Sequence, residues 1–329
     1  MLHRSSASLL GLLTACTALE SPAPLHARNQ HPAQLIGIHQ GARAARPAQA
    51  LELGLVVDHS SLWLRPGAGR DRIELDGELT RAELGLRFPL GSSADLELQL
   101  PVLHAAGGGL DTFIEAWHEF FGLPQNQRDL FPRNRFVVRA ERSLGPGNLE
   151  DVYVLAPGTL ELGDLPIFLS WFPLRDSQGL SFGLRGGIEL PSGEQSRGLG
   201  NGEPDASLGF LSQWDLGPWS LFGWGSRSWV GASDLARAAG FRYARPESFG
   251  LGVEFGALER LSGLVQVEWE ESLLGALDET HAKSDQALIS LGGRYRASPG
   301  VAWELAVAED LIRNVSADIS FHLGLRVKL

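Results

Sequence analysis

The chain ends on SADISFHLGLRVKL, residues 316–329, in which Ile319, Phe321, Leu323, Leu325, Val327 and Leu329 hold every second position. A period of two sends successive side chains to opposite faces of a strand. One face is therefore apolar, and the other, with Ser320, His322, Gly324, Arg326 and Lys328, is polar. Terminal residues ordinarily stay loose, because they gain entropy and lose few contacts by doing so. Here the alternation runs to the final residue, which predicts a last strand tied down along its whole length.

The same rhythm returns from residue 49 onward and yields twelve runs. Leu51, Leu53, Leu55 and Val57 open the series, followed by Leu84 to Leu90 and Leu96 to Val102. Past residue 158 come runs led by Leu165, Leu180, Leu208, Leu221, Phe249, Leu261, Ile289 and Val301, with a change of phase expected within 221–230. Short connections at 91–93, 174–178, 215–218, 257–260 and 297–300 alternate with long ones at 58–71, 103–158, 191–204, 231–247, 272–285 and 308–316. Five short and six long connections join twelve strands, so both ends of the strand series fall on the short-turn side. An even number of antiparallel strands, with tight turns at one end and long loops at the other, is the pattern of bacterial outer-membrane barrels.

Between the apolar positions stand polar ones, among them Glu83, Arg87, Glu97, Gln99, Gln213, Gln266 and Lys328. Periodicity does not say which face is inside, since a soluble β-sandwich alternates too, with the apolar face as its core. Aromatic residues near strand ends favour a membrane barrel: Trp214 and Trp219 bracket DLGP, Phe172 precedes a short turn, and Tyr295 and Trp303 flank ASPG. Such rings suit the headgroup level, where one end is apolar and the other wet. In that register Arg185, Glu189, Glu254, Glu268, Arg294, Glu304 and Arg326 face inward as candidates for lining the lumen. They can pair across strands and fill it, because unpaired buried charge is costly, or face water and set selectivity. Eight strands are filled by side chains and sixteen hold an aqueous channel, so twelve points to a narrow or partly plugged pore.

The totals agree. A chain of 329 residues suffices for one large all-β domain, and no stretch approaches the ~18 apolar residues of a membrane helix. With 28 Lys+Arg against 39 Asp+Glu, and no basic tract, nucleic acid is not an expected partner. Met1 to Arg4 followed by SLLGLLTA (8–15) reads as an export signal. Cleavage is expected after Leu25-His26-Ala27, making 1–27 the signal peptide; the competing site is a lipobox, Leu13-Thr14-Ala15-Cys16, cut before Cys16. Residues 28–48 then form an N-terminal periplasmic segment, and 49–329 the barrel, with 103–158 as a long external loop. Cys16 is the only cysteine, so no internal disulfide forms.

One stretch keeps another period. In GLDTFIEAWHEFFGLP (109–124), Leu110, Phe113, Ile114, Trp117, Phe120 and Phe121 recur at spacings of three and four, the stripe of an amphipathic helix. Lying in the longest loop, it can cap the mouth, fold into the lumen or rest on the outer leaflet.

RNQHP (28–32), GGGLDTFIEAWHEFFGLPQNQRDLFPRNR (107–135), LPSGEQSRGLGNGEPDASLGFLSQW (190–214) and WSLFGWGSRSWVG (219–231) together resemble an uncharacterised bacterial family known only as a domain of unknown function. The resemblance spans nearly the whole mature chain and implies an outer-membrane barrel, with no activity attached. Outer-membrane barrels usually end on an aromatic residue, whereas this chain ends on Leu329.

A hydrolase in such a barrel needs a nucleophile, a base and an orienting group. Outer-membrane phospholipases also have twelve strands, but their His-x-Ser-Asn arrangement is missing. The nearest string, His59-Ser60-Ser61, lies where a loop is expected to begin, which makes His59 a solvated loop residue. His118 with Glu115 and Glu119 lacks a second histidine at i+4 and reads as the polar face of the loop helix. GLGNGEPD (198–205) lacks calcium-loop spacing and reads as a flexible external loop.

The sequence thus predicts a transmembrane antiparallel up-and-down β-barrel of about twelve strands in the outer membrane of a Gram-negative bacterium. Its expected role is a narrow pore or binder for small solutes; the alternatives are a lipid-active hydrolase and a structural or surface-recognition barrel. The expected partners are outer-membrane lipid and lipopolysaccharide, the outer-membrane assembly machinery and a small solute. No cofactor, metal or catalytic residue is assigned.

Overall fold

The structure is a computed structural model that describes residues 21–122, 125, 127–158, 160–176, 178–256, 258–312 and 316–329. The apolar core of the export signal, and Cys16, lie outside the described residues.

The strands are β1 (Glu52–Leu64), β2 (Arg72–Pro89), β3 (Ala94–Ala106), β4 (Val137–Gly145), β5 (Asn148–Val154), β6 (Glu161–Leu162), β7 (Leu165–Arg175), β8 (Leu180–Leu190), β9 (Asp205–Leu216), β10 (Trp219–Trp229), β11 (Glu247–Phe255), β12 (Leu261–Glu270), β13 (Gln286–Ser298), β14 (Val301–Asp310) and β15 (Ile319–Lys328). β1 pairs with β2, β2 with β3, β3 with β7, and each strand from β7 to β15 with the next; β15 returns to β1. The result is a closed antiparallel ring of twelve strands. Closure gives every ring strand two neighbours and leaves no unpaired edge in the ring. Leu53 stands opposite Val327, and the Leu329 amide donates to the Leu51 carbonyl oxygen at 2.9 Å.

The two faces are the reverse of a soluble sandwich. Leu251 and Leu305 on the outer face are 72% and 68% exposed, whereas Arg185 and Arg294 on the inner face are 1% and 0% exposed. The expected phase change within 221–230 is absent, since β10 pairs without a register shift along its length. Its inner face is apolar in part: Phe222 and Trp224 point inward, as does Phe172 of β7, so Phe172 is no headgroup anchor.

Residues 28–48, expected below the barrel as a periplasmic segment, lie inside it. Residues 22–48 rise from the turn end, bend through a 3-10 helix at Pro32–Ile36 and descend to β1. A twelve-stranded interior is too wide for wall side chains to fill, and a doubled chain fits the remaining space.

The loop end carries its own core. β4 and β5 form a hairpin in the 103–158 loop, and β4 extends the sheet from the first residues of β2. Ile73, Leu75, Val138, Val152 and Tyr153 pack there with Phe241, Tyr243, Leu273 and Leu277, and with Ala33 and Ile36 of the inner segment. The 198–205 stretch is part of this cap: Asn201 is buried and its side-chain amide donates to Asp205 and to the Ile36 carbonyl oxygen.

Candidate functional site

The interior is a polar socket with the segment 22–48 seated in it. The ascending arm runs beside β11 to β15. Ala23 N donates to Glu254 (3.1 Å) and Leu25 N to Gln266 (3.0 Å), while Arg326 donates to the Pro24 carbonyl oxygen at 2.8 Å. At the bend, Gln34 donates to the Glu271 carbonyl oxygen and accepts from Leu273 N, each at 2.9 Å. On the descending arm, Gln40 reaches the Arg185 carbonyl oxygen and Ser207, the Arg43 guanidinium grips Glu97, and Ala48 N donates to Asp95. Ala42 and Ala45 pack on Phe172, Leu211, Phe222 and Trp224, and their small side chains let the backbone lie against the rings.

All seven charged candidates turn inward. Arg294 donates to Glu254 and Glu304, and Arg326 also meets Glu304. Arg185 donates to Glu97 at 3.0 Å and lies 4.1 Å over the Phe168 ring. Glu268 faces His39 of the descending arm at 2.9 Å. Glu189 stands opposite Asp205 across the β8–β9 pair. Arg294, Arg326, Glu254, Glu304 and Glu268 are thus spent on one another and on the inner segment, and Arg185 on the wall carboxylate Glu97. Truncating one member of such a buried pair costs about 3–5 kcal/mol while the other stays buried.

Two histidines on the inner segment are held in opposite states. Burial pushes His31 down to about 4, consistent with its Nδ1 accepting from Ala33 N at 3.3 Å. Burial also opposes charge on His39, but Glu268 and Glu270 outweigh it and push His39 up to about 9.

The loop helix α1 (Asp111–Phe121) sits outside the wall, beside β15 and β1. Of its apolar stripe only Ile114 is fully buried; Leu110 is half-buried at the helix start. Phe113 meets Phe321 of β15 at 5.9 Å between ring centroids, Trp117 packs on Phe121 at 4.6 Å, and Phe113, Phe120 and Phe121 are exposed beside the outward apolar face. His118, read as part of the polar face, is buried and lies 3.9 Å from Asp318. Arg128 clamps the loop by donating to Asp111, Ser61 and Asp318. No His/Cys/Asp/Glu cluster suited to a metal occurs among the described residues.

His59 is not a solvated loop residue. It lies within β1 on the outer face, opposite Thr80 of β2 and Phe321 of β15. His59 Nδ1 is 2.8 Å from Thr80 Oγ1, and Nε2 is 3.3 Å from Glu78 Oε2. Glu78 Oε1 in turn accepts from Gly109 N and Leu110 N. Gly108, at φ +70°, allows this approach; a Cβ there would fall 1.8 Å from the Glu78 carboxyl carbon.

Residues 5–329 match the family described as "Protein of unknown function (DUF3187)". The chain belongs to that family. Among solved structures, the DUF3187 chain is similar to the COG4313 outer membrane channel from Pseudomonas putida F1, at 13% identity and a TM-score of 0.55, covering 86% of this chain and 98% of that one. It is also similar to the P. putida toluene transporter TodX (9% identity, TM-score 0.41, 92% and 93% covered) and to the KdgM porin (9%, 0.41, 84% and 99%). At these identities the likeness is one of fold, an outer-membrane β-barrel. No curated protein matches the DUF3187 chain.

Inward parity was readable from sequence for the seven charged residues, but their partners on segment 22–48 were not, because that segment has no period. Arg43, His31 and His39 belong to the site and were missed. His59 and Thr80 carried a usable signal: polar residues at outward positions next to Val57 and Ala82.

Proposed function

We propose that this protein is an outer-membrane channel for small solutes, closed by its own segment 22–48. The outward apolar belt meets lipid, the short turns face the periplasm, and the long loops form the external cap. The observation that carries the reading is that segment 22–48 enters and leaves at the turn end, so it can withdraw without crossing the membrane. Withdrawal would bare a passage lined by Arg185, Glu189, Glu254, Glu268, Arg294, Glu304 and Arg326, and would remove Ala33 and Ile36 from the core of the cap. A cavity of about 80 Å³ already opens at the turn end, where Gly54, Gly85 and Gly324 leave the wall of β15, β1 and β2 without side chains. Outer-membrane lipid and lipopolysaccharide would surround the belt, and the assembly machinery would receive the terminal strand.

The test is conductance in a planar bilayer. A chain lacking residues 28–48, shown by heat-modifiable gel migration to be folded, should conduct steadily where the full chain opens rarely. Equal and negligible conductance of both would sink the reading.

A lipid-active hydrolase is favoured by one observation, the Thr80–His59–Glu78 chain on the outer wall. His59 stands about 20 Å above Leu51 on strands tilted ~40°, near the upper edge of an apolar band ~25 Å tall, at the level of lipid ester groups. In this reading Thr80 Oγ1 attacks an acyl ester carbonyl, its proton passes through His59 to the departing alcohol, Glu78 orients the imidazole, and water releases the acid. Fatty-acid release from phospholipid micelles that is lost in Thr80→Val supports it; no release by the unaltered protein ends it.

A further inference from the structure

We infer that the chain working in the membrane keeps residues 22–27, so that processing takes place upstream of Pro22 and not after Ala27. The inference does not depend on whether a solute passes.

Residues 23–25 are built into the wall through groups on four strands. Ala23 N donates to Glu254 of β11, and Leu25 N donates to Gln266 of β12. Arg294 of β13 donates to the Ala23 carbonyl oxygen at 2.6 Å and to that of Pro24 at 3.4 Å. Arg326 of β15 donates to the Pro24 carbonyl oxygen at 2.8 Å. Leu25 is fully buried and packs with Ala27 on Leu264 and Ala306, and His26 Nε2 lies 3.4 Å from Glu83. Backbone carbonyls are fixed acceptors that bring no counter-charge, which suits a guanidinium already paired with carboxylates.

A discarded peptide can supply none of this. Cleavage after Ala27 would strip those acceptors from Arg294, whose side chain is fully buried, and would leave the floor of the socket open. It would also place a new charged α-amino group on Arg28, beside a guanidinium that already donates to the Gln34 carbonyl oxygen in the same enclosed space. Two positive groups there would face the desolvation cost that the neutral amide avoids. The mature start therefore belongs upstream of Pro22, since the contacts with the wall already begin at Pro22 and Ala23.

The experiment is to express the full gene in a Gram-negative host, purify the protein from membranes, and read its N-terminus by intact mass and N-terminal peptide. A first residue at or before Pro22, including an acylated Cys16, is the expected result. A first residue at Ala23 or beyond, Arg28 above all, overturns the inference. A second measurement tests the contacts themselves. Two chains are exported behind a foreign signal peptide, one beginning at Ser21 and one at Arg28, and protease is added to the folded proteins in detergent. Cleavage within 28–48 should be at least about tenfold faster in the shorter chain, because proteolysis tracks the open population. Equal rates would show that residues 22–27 hold nothing.

Discussion

Arg294 of β13 donates from Nη2 to the carbonyl oxygen of Ala23 at 2.6 Å, a bond between the barrel wall and the segment that fills it. The same guanidinium spans Glu254 and Glu304, so one side chain ties two wall carboxylates to the inner segment. A doubled chain inside a barrel gains little from propensity and depends on such ties.

Arg294→Met should therefore loosen the segment. The methionine fills much of the volume but leaves Glu254 and Glu304 with less counter-charge, and water entering with the displaced arm relieves them. Open-channel time in a planar bilayer should rise several-fold, while Arg227→Met, which breaks only the exposed pair with Glu247, should leave it unchanged. Equal behaviour of the two variants would remove Arg294 as a tie.

Ala42 offers a test through packing alone. It is buried in one cluster with Phe172, Leu211, Phe222 and Trp224. Ala42→Trp should cost about 1–3 kcal/mol of docking, which raises the open fraction by roughly 5- to 150-fold. Single-channel recording measures it directly. An unchanged open fraction would mean that the rings do not seat the descending arm.

The ring of strands was legible because an apolar position at every second residue fixes each strand's register, and because turn and loop lengths alternate. Val57 and His59 show where that legibility stops. Both are outward by parity, yet His59 meets Thr80 and Glu78, and nothing local to the sequence announces the partners. Arg185 and Arg294 were likewise placed inward by parity, while Ala42 and Arg43 belong to a stretch with neither a strand nor a helix period. Their position is set by long-range fit to the socket, which a local pattern does not carry. α1 was legible as a helix from its own spacing, but its seat depends on Phe321, some two hundred residues away, and on the Arg128 clamp.

That seat has an optical consequence. Trp117 donates from Nε1 to Glu309 at 3.2 Å and packs on Phe121, which is exposed beside the outward face of β15. In vesicles of lipid brominated near the headgroup, the fluorescence difference between the unaltered protein and Trp117→Phe should be strongly quenched; lipid brominated at the chain ends should quench it less. The reverse order would place α1 deeper than the interface.

The two histidines predict how closure responds to pH. Docking holds His31 at about 4, below the ~6.5 of a free histidine, because burial disfavours its charge. The undocked form therefore binds more protons below pH 6.5, and docking weakens by up to tenfold per unit as pH falls toward 4. His39 behaves oppositely. Burial opposes its charge, but Glu268 and Glu270 dominate over Arg28, and its docked value is about 9. Its contribution is fully present below pH 6.5 and is lost as pH rises through 9. Closure should be tightest near pH 6.5, with open-channel time rising on both sides. The paired change His26→Gln with His31→Gln should flatten the acid limb, since burial also holds His26 well below the usual histidine range, and leave the alkaline limb, and His39→Gln should do the converse while raising openings at neutral pH. A profile that keeps both limbs in either variant would assign the titration to other groups.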